Sequence, residues 1–332
     1  MKIDFEHRQS AHCETGVISN LMRFHGLDIS EPMALGIGSG LFFSHMPFIK
    51  VNGLPVTTYR IMPGNIFKKF AKRTGVEMKR QKFSSPEKAM AELDAVLEQG
   101  LPVGMLTSVF YLPYLPRAFR FHFNAHNIVI YGKEGDDYLV SDPITEEPTR
   151  IDRRMLIRAR FAKGMPNTNG RMYYPTHVPK DIDVNAAIIK GLKFTAKDMS
   201  TIPVPLFGGK SIGFLAERLR NYETKYGKRG ATKYLGNIVR MQEEIGTGGA
   251  GFRFMFGAFL QEASAQLGNP MLHKKSLEIT KIGDLWRNFA YNCGRMVKGR
   301  AGQLTYDDLA DQLNEIGKKE ILFFSSIHKM KF

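Results

Sequence analysis

Apolar residues recur every three to four positions between residues 14 and 25, which is the spacing of an amphipathic helix. The repeating positions are Val17, Ile18, Leu21, Met22 and His25. Gly26 follows them, where a left-handed helix cap is common. Cys13 therefore stands at the N-terminal edge of the predicted helix.

A different pattern predicts a β-hairpin near the middle of the chain. Residues 127–131 are apolar and β-branched, residues 132–136 are typical of a turn, and residues 138–140 are strand-like again. His126 begins the first strand and Asp142 ends the second. Cross-strand partners have Cβ atoms about 5 Å apart, so we expect the His126 and Asp142 side chains to touch.

The sequence pattern changes between residues 145 and 180, from mixed helix and strand to mostly helix, which indicates two domains. In the first half, residues 86–99 are predicted to be a helix, residues 101–107 a strand, and the glycine-containing segment 31–41 a turn-rich, close-packed stretch. In the second half, helical periodicity is found at 153–163, 210–226, 233–244, 252–265, 282–296 and 306–316. We predict an α+β domain over 1–150 and a mostly helical domain over 151–332.

Composition excludes several classes of protein. At 332 residues with 43% hydrophobic side chains, each domain can bury a core. The two cysteines cannot form a disulfide framework, and the charged first residues do not resemble a signal peptide. No apolar run approaches the roughly 20 residues of a membrane span. We expect a cytoplasmic protein without a transmembrane segment.

The formal charge of +15 lies almost entirely in the second half. Residues 151–332 carry 30 Lys and Arg against 16 Asp and Glu, whereas residues 1–150 carry 17 against 16. Such a surface favours encounter with an anionic partner. Charge alone does not choose between nucleic acid, an acidic lipid surface and an acidic protein.

Cys13, His126 and Asp142 together suggest nucleophilic catalysis. A helix N-terminus stabilises a thiolate. His126 supplies a candidate base, and Asp142 a carboxylate to orient it. Alternatives remain open: Cys13 can be an inert buried thiol, and His12 or His122 can be the base. Cys293 is predicted to be a core residue, and no metal site is expected because His7, His12 and Cys13 match no familiar zinc spacing.

Several motifs carry a resemblance to a known family. They are His12-Cys13-Glu14-Thr15, the segments "FYLPY" at 110–114 and "AHNIVIYG" at 125–132, and "GTGGAGFRFMFGAFLQEAS" at 246–264. The first three resemble the N-terminal domain of butirosin biosynthesis protein H. The last resembles the domain of unknown function that commonly follows it. Together they cover nearly the whole chain.

The resemblance implies a papain-like fold related to the bacteriocin-processing cysteine peptidases, used for acyl transfer. It implies that Cys13 is the nucleophile, His126 the base and Asp142 the orienting residue, with no bound cofactor. The donor would be the phosphopantetheine thioester of an acyl carrier protein, and the acceptor an amine or hydroxyl. Peptidase relatives place an oxyanion-hole Gln about six residues before the cysteine, where this chain has His7. The oxyanion candidates are therefore Gln9 and His12, beside the backbone N–H of Cys13.

Acyl carrier proteins are acidic, so the resemblance also gives the basic half a specific interpretation. We expect the carrier to dock on an arginine cluster. The cluster consists of Arg153, Arg154, Arg158 and Arg160. The candidates for an acyl or acceptor pocket are Phe42, Phe43, Tyr111 and Tyr114.

Two other functions compete with acyl transfer. One is a cysteine amidase or peptidase of the same fold, which differs only in admitting water to the acyl-enzyme. The other is a non-catalytic basic protein that binds nucleic acid. The basic residues are not interleaved with a stacking pattern of aromatic residues, so we expect no nucleic acid partner. A homo-oligomer is left open.

Overall fold

The computed structural model describes residues 1–51 and 53–332. The strands are β1 Leu41–Val51, β2 Leu54–Arg60, β3 Glu77–Gln81, β4 Val103–Thr107, β5 His126–Glu134, β6 Asp137–Ser141, β7 Thr149–Asp152 and β8 Met172–His177. The helices are α1 Cys13–Phe24, α2 Glu31–Ile37, α3 Asn65–Thr74, α4 Pro86–Glu98, α5 Arg153–Arg160, α6 Val184–Thr201, α7 Lys210–Arg220, α8 Tyr222–Val239, α9 Arg253–Leu267, α10 Pro270–Val297 and α11 Tyr306–Lys329.

The chain divides into two compact units that each draw on separate stretches of sequence. Unit 1 contains residues 1–34 and 70–182, and unit 2 contains residues 35–69 and 183–332. This division differs from the predicted boundary at residue 150. The segment 35–69 belongs to unit 2, and α5 and β8 belong to unit 1.

Unit 1 is built on a six-stranded antiparallel sheet with the strand order β3-β8-β4-β5-β6-β7. Helix α1 packs against the central strand β5. The apolar stripe predicted for α1 is buried as expected, with Val17, Ile18, Leu21 and Met22 all shielded from solvent. Because α1 lies on β5, its first residue is held near the start of that strand.

The predicted hairpin is confirmed, but His126 and Asp142 are not the directly opposed partners that the sequence predicts. Strands β5 and β6 pair Glu134 with Asp137, and an irregularity near Tyr131 brings Val129 opposite Ser141. Continued beyond the last pair, this register places Asp142 two residues away from the position facing His126. Residues offset by two lie on the same face as diagonal neighbours, so the predicted contact forms diagonally.

Unit 2 combines the antiparallel β1–β2 hairpin with the helices that follow residue 183. Trp286 on α10 is fully buried against Phe43 and Tyr59 of the hairpin, with ring centroids 5.7 and 5.4 Å away. Gly36 lies so close to Phe259 that a Cβ atom would stand 2.2 Å from its ring. These contacts explain why the segment 35–69 belongs with the helices.

Two further sequence predictions need correction or restriction. The segment 31–41 contains helix α2 and the start of β1, rather than a turn-rich stretch. Unit 2 keeps the excess of basic residues, with 27 Lys and Arg against 14 Asp and Glu. Within the described residues, no helix is both long and apolar enough to cross a membrane.

Candidate active site

Cys13 is the first residue of α1, and the turn before it is held by two side chains. His12 is the N-cap, and its Nδ1 accepts a hydrogen bond from the Thr15 N–H. The Glu31 carboxylate accepts the N–H groups of Ala11 and His12 at 2.9 and 2.7 Å, and the Thr15 hydroxyl at 3.0 Å. The position of the thiol is therefore fixed by hydrogen bonds on both sides of the helix start.

His126 and Asp142 form a buried pair. The imidazole Nε2 lies 2.8 Å from Asp142 Oδ2, and the two side chains are 4% and 0% exposed. The Tyr114 hydroxyl donates to the same carboxylate oxygen at 2.9 Å, and the Ile144 N–H donates to Oδ1 at 3.2 Å. The carboxylate is thus held by three donors, one of which is the imidazole.

The charge state of His126 follows from this environment. Burial by itself lowers the pKa of His126, but the negative charges of Asp142 and Cys13 and its hydrogen bonds to both outweigh burial and raise the pKa to about 10. Because Nε2 faces Asp142, the hydrogen bond to Cys13 uses Nδ1. An imidazolium between a carboxylate and a sulfur atom is the arrangement that stabilises a thiolate.

A second polar group approaches the sulfur from the sheet. Asn127 Nδ2 donates towards Cys13 Sγ at 3.9 Å and also to the Ala125 carbonyl at 3.4 Å. The Tyr173 hydroxyl of β8 donates to Asn127 Oδ1 at 2.7 Å. Cys13 itself is 7% exposed. The thiol is therefore covered on several sides by polar atoms.

The second cysteine has different surroundings. Cys293 on α10 is fully buried, and burial raises the pKa of its thiol well above the usual value. This confirms the prediction that Cys293 is a core residue. The two cysteines differ in their neighbours, because the Cys13 sulfur contacts an imidazole and an amide.

Sequence reasoning missed three residues of this site and one contact of a fourth. It predicts no role for Glu31, Asn127 or Tyr173, and it does not predict the hydrogen bond from Tyr114 to Asp142. Asn127 follows His126 directly in the sequence, and this adjacency was the one available signal. Glu31 and Tyr173 lie 18 and 160 residues from Cys13 in the sequence, so only the fold reveals their contacts.

The predicted arginine cluster is corrected at one position. Arg160 is fully buried, where its guanidinium donates to the carbonyls of Ala89 and Gly170 and to the Met90 sulfur. It therefore cannot contact a partner protein. Arg160 shares the buried face of α5 with Leu156 and Ala159, whereas Arg154 and Arg158 lie on its exposed face.

The other three arginines border a groove on unit 1. The groove has a volume of about 560 Å³, and its lining consists of Asp136, Asp152, Arg153, Arg154, Ile157 and Arg158. Arg154 and Arg158 are exposed, and the Arg158 guanidinium also lies 5.5 Å above the Tyr111 ring. Tyr111 therefore neighbours the arginine groove.

The aromatic pocket candidates do not form one cluster. Phe43 is fully buried in the core of unit 2 between Tyr59 and Trp286, so it cannot line a pocket, and this prediction is wrong. Phe42 stacks on Phe207 within the same unit, with ring centroids 6.4 Å apart. Only Tyr111 and Tyr114 belong to unit 1.

The histidines considered as alternative bases or metal ligands, and the oxyanion candidates, have defined places. His7 bonds with its two ring nitrogens to the Ser141 hydroxyl and the Thr145 carbonyl, which flank Asp142 in sequence. His12 caps α1, and Gln9 is exposed. His122, the other alternative base, stacks on Phe110 with ring centroids 4.0 Å apart.

Comparison with known proteins gave two family-model matches and a weak structural likeness. The model for butirosin biosynthesis protein H, N-terminal, matches residues 12–143, and that for the domain of unknown function DUF4872 matches residues 154–327. Among solved structures, a protein described as a C39-like peptidase from Bacillus anthracis is 14% identical with a TM-score of 0.38, covering 54% of this chain and 100% of its own. The search of curated proteins gave no match.

The two matched segments occupy most of the chain in the predicted order, and the N-terminal one contains Cys13, His126 and Asp142. Unit 1 joins a cysteine at a helix start to a histidine on an antiparallel sheet, which is the papain-like arrangement. The chain therefore belongs to the butirosin biosynthesis protein H-like family, in which a papain-like cysteine enzyme domain is followed by DUF4872.

Proposed function

We propose that the chain is a cysteine-dependent acyltransferase. It takes an acyl or aminoacyl group from the phosphopantetheine thioester of an acyl carrier protein and transfers it to an amine or hydroxyl acceptor. The observation that carries the proposal is the hydrogen-bonded series from Cys13 through His126 to Asp142. Membership of a family named for a biosynthetic protein supports transfer rather than proteolysis.

In the first half of the reaction, the Cys13 thiolate attacks the thioester carbonyl and a carbon–sulfur bond forms. The tetrahedral intermediate collapses, the bond to the pantetheine sulfur breaks, and the His126 imidazolium gives its proton to the departing thiolate. The products are an acyl-Cys13 thioester and the free carrier thiol. A backbone or side-chain N–H must stabilise the oxyanion, for which the Cys13 N–H and Gln9 remain candidates.

In the second half, neutral His126 removes a proton from the acceptor amine or hydroxyl as that group attacks the acyl-enzyme. The new amide or ester bond forms, and Cys13 departs as a thiolate beside the restored imidazolium. Asp142, held by Tyr114 and the Ile144 N–H, keeps the ring in orientation through both steps.

Intact-mass spectrometry with a panel of acyl carrier thioesters tests this proposal. We expect the wild-type protein to gain the mass of one acyl group, and the Cys13→Ala variant to gain none. Addition of amines or alcohols is expected to remove the adduct as an amide or ester. Release of free acid in the presence of every acceptor would instead indicate an amidase. Failure of all carrier thioesters to form an adduct would overturn the proposal.

The groove beside α5 is the proposed docking site for the acidic carrier. Arg154 and Arg158 are exposed at its edge, and complementary charge mainly speeds association. We expect Arg154→Glu/Arg158→Glu to slow adduct formation at low salt by about tenfold or more. The matched control Lys274→Glu/Lys318→Glu reverses two exposed bases on unit 2. Equal effects of the two variants would contradict docking at the groove.

A further inference from the structure

The side chains behind the Cys13 sulfur form a buried polar network that acyl transfer, as described above, does not use. Asn127 is 4% exposed and directs its Nδ2 at Sγ from 3.9 Å. Behind it, the Tyr173 hydroxyl bonds to Oδ1 at 2.7 Å. A polar side chain in such a place requires a reason, because burying an amide without partners is costly.

The orientation of the Asn127 amide is fixed by its partners. Nδ2 lies 3.4 Å from the Ala125 carbonyl, which can only accept a hydrogen bond. The reversed amide would place two acceptor oxygens, Oδ1 and the Ala125 carbonyl, against each other. The remaining Nδ2 hydrogen is therefore available to the sulfur.

The sheet is shaped to hold Tyr173 in this position. Strand β8 pairs Tyr173 with Gly104 of β4, and a Cβ atom at residue 104 would stand 2.3 Å from the tyrosine ring. The ring thus packs closely against a glycine, and its hydroxyl bonds to Asn127 on β5. Without that glycine the tyrosine must move.

Charged groups on several elements interact with the sulfur or with its polar neighbours. His126 of β5 interacts with the sulfur and with Asp142 after β6, Glu14 of α1 and Arg80 of β3 interact with Tyr173, and Glu31 of α2 accepts from the N–H of His12. Glu14 and Asp142 are completely or almost completely buried.

From this geometry we infer that Asn127 is a further catalytic residue, a neutral hydrogen-bond donor that stabilises the Cys13 thiolate, and that Tyr173 is its positioning residue. The inference rests on the proposed function in that Cys13 reacts as a thiolate. An amide suits this role because it donates to the sulfur without adding a charge. The neutral thiol has a different partner, since it can donate to the Ala125 carbonyl at 3.9 Å.

The rate of alkylation of Cys13 by iodoacetamide tests this inference without any carrier protein. Peptide mass spectrometry separates Cys13 from Cys293, and the pH series should span the usual cysteine pKa of about 8.5. For Asn127→Leu we expect the midpoint of the rate profile to rise by about one pH unit, as befits the loss of a hydrogen bond to a charged group. Asn127→Asp should raise the midpoint further, because it adds a negative charge.

Tyr173→Phe removes only the positioning hydroxyl and should raise the midpoint by a smaller amount. Its matched control is Tyr138→Phe, which removes a hydroxyl bound to Asp94 elsewhere in the same sheet. A merely structural role would lower the melting temperature in both variants and move the midpoint in neither. If Asn127→Leu fails to fold, the alkylation midpoints of Tyr173→Phe and Tyr138→Phe are compared instead. Equal midpoints in these two variants would overturn the inference.

The outcome is separable from that of the acyl-transfer experiment. Shifted alkylation profiles in a protein that accepts no carrier thioester would reject the proposed donor and retain the role of Asn127. An acyl adduct together with unshifted profiles in Asn127→Leu and Tyr173→Phe would retain the acyltransferase and reject the inference.

Discussion

Each unit of the molecule buries an ion pair, and the two pairs are built differently. In unit 2, Arg253 and Glu320 are both fully buried and joined by two hydrogen bonds of 2.7 and 2.8 Å. The Trp286 indole N–H donates to the same carboxylate, and the third guanidinium donor meets the Gly251 carbonyl. In unit 1, His126 and Asp142 share one contact, and the imidazole has a second nitrogen facing a sulfur atom.

The difference shows how a buried charge serves structure or chemistry. Arginine stays charged at all ordinary pH values, and its fork matches a carboxylate in fixed geometry. The Arg253–Glu320 pair is therefore part of the buried core of unit 2 and has a structural role. Histidine can lose its proton, and His126 touches a group able to receive it. The following predictions test this contrast, from the largest expected effect to the smallest.

Asp142→Asn should give the largest change in activity. Loss of the carboxylate removes the charge that holds the imidazolium and allows the wrong tautomer, so we expect acyl transfer to slow by about 10³- to 10⁴-fold. Single-turnover kinetics with a carrier thioester measure the effect. The melting temperature provides the control, since a purely structural loss would lower stability in proportion to activity.

Arg253→Met should give the largest change in stability. It leaves Glu320 buried without its partner, which costs about 3–5 kcal/mol of unfolding free energy. Glu320→Gln in the same chain keeps an acceptor for the Trp286 indole and should restore part of the loss. Denaturant unfolding measures both variants. We expect alkylation of Cys13 to keep its wild-type pH profile in the folded protein.

The pH dependence of stability should separate the two pairs. The pKa of His126 is raised from 6.5, so the stability from its charged form is present below that value and lost as pH rises through the folded pKa. The Cys13→Ala variant isolates this group from the thiol. Its unfolding free energy should fall as pH rises above 6.5 through a folded pKa that Asp142 still raises, and the Cys13→Ala/Asp142→Asn variant should show a flatter profile.

The same pH series offers a comparison with unit 2. Adding Arg253→Met together with Glu320→Gln to Cys13→Ala should lower the whole curve without changing its slope, because neither replacement side chain can titrate. A change of slope on loss of this pair would show that the two pairs are coupled. The measurement is the unfolding free energy at each pH.

Tyr114→Phe should give the smallest effect. It removes one of three donors to the Asp142 carboxylate, and a hydrogen bond to a charged group is worth about 1.5–3 kcal/mol. Because the tyrosine is only partly buried, we expect the lower end, a loss of about tenfold in acyl transfer. An unchanged rate would mean that the Ile144 N–H suffices to hold the carboxylate.

Local patterns sufficed for the elements on which the site depends. The apolar stripe after Cys13 placed a helix start within one residue of the observed one, and the turn residues at 132–136 placed the hairpin. Both signals arise from neighbours in sequence: side chains on one helix face, and strands joined by a short turn. The contact of His126 with Asp142 followed, although the irregularity near Tyr131 changed its register.

The sequence by itself thus determined which residues could supply a thiol, an imidazole and a carboxylate. Tertiary structure decided what surrounds them. Glu31 at the helix start, Tyr173 behind Asn127 and the burial of Arg160 all depend on contacts between distant segments. Arg154 and Arg160 look alike in a basic stretch, yet one is exposed and the other fully buried. Periodicity reports which face of an element is apolar, whereas the packing of elements decides which polar groups are enclosed.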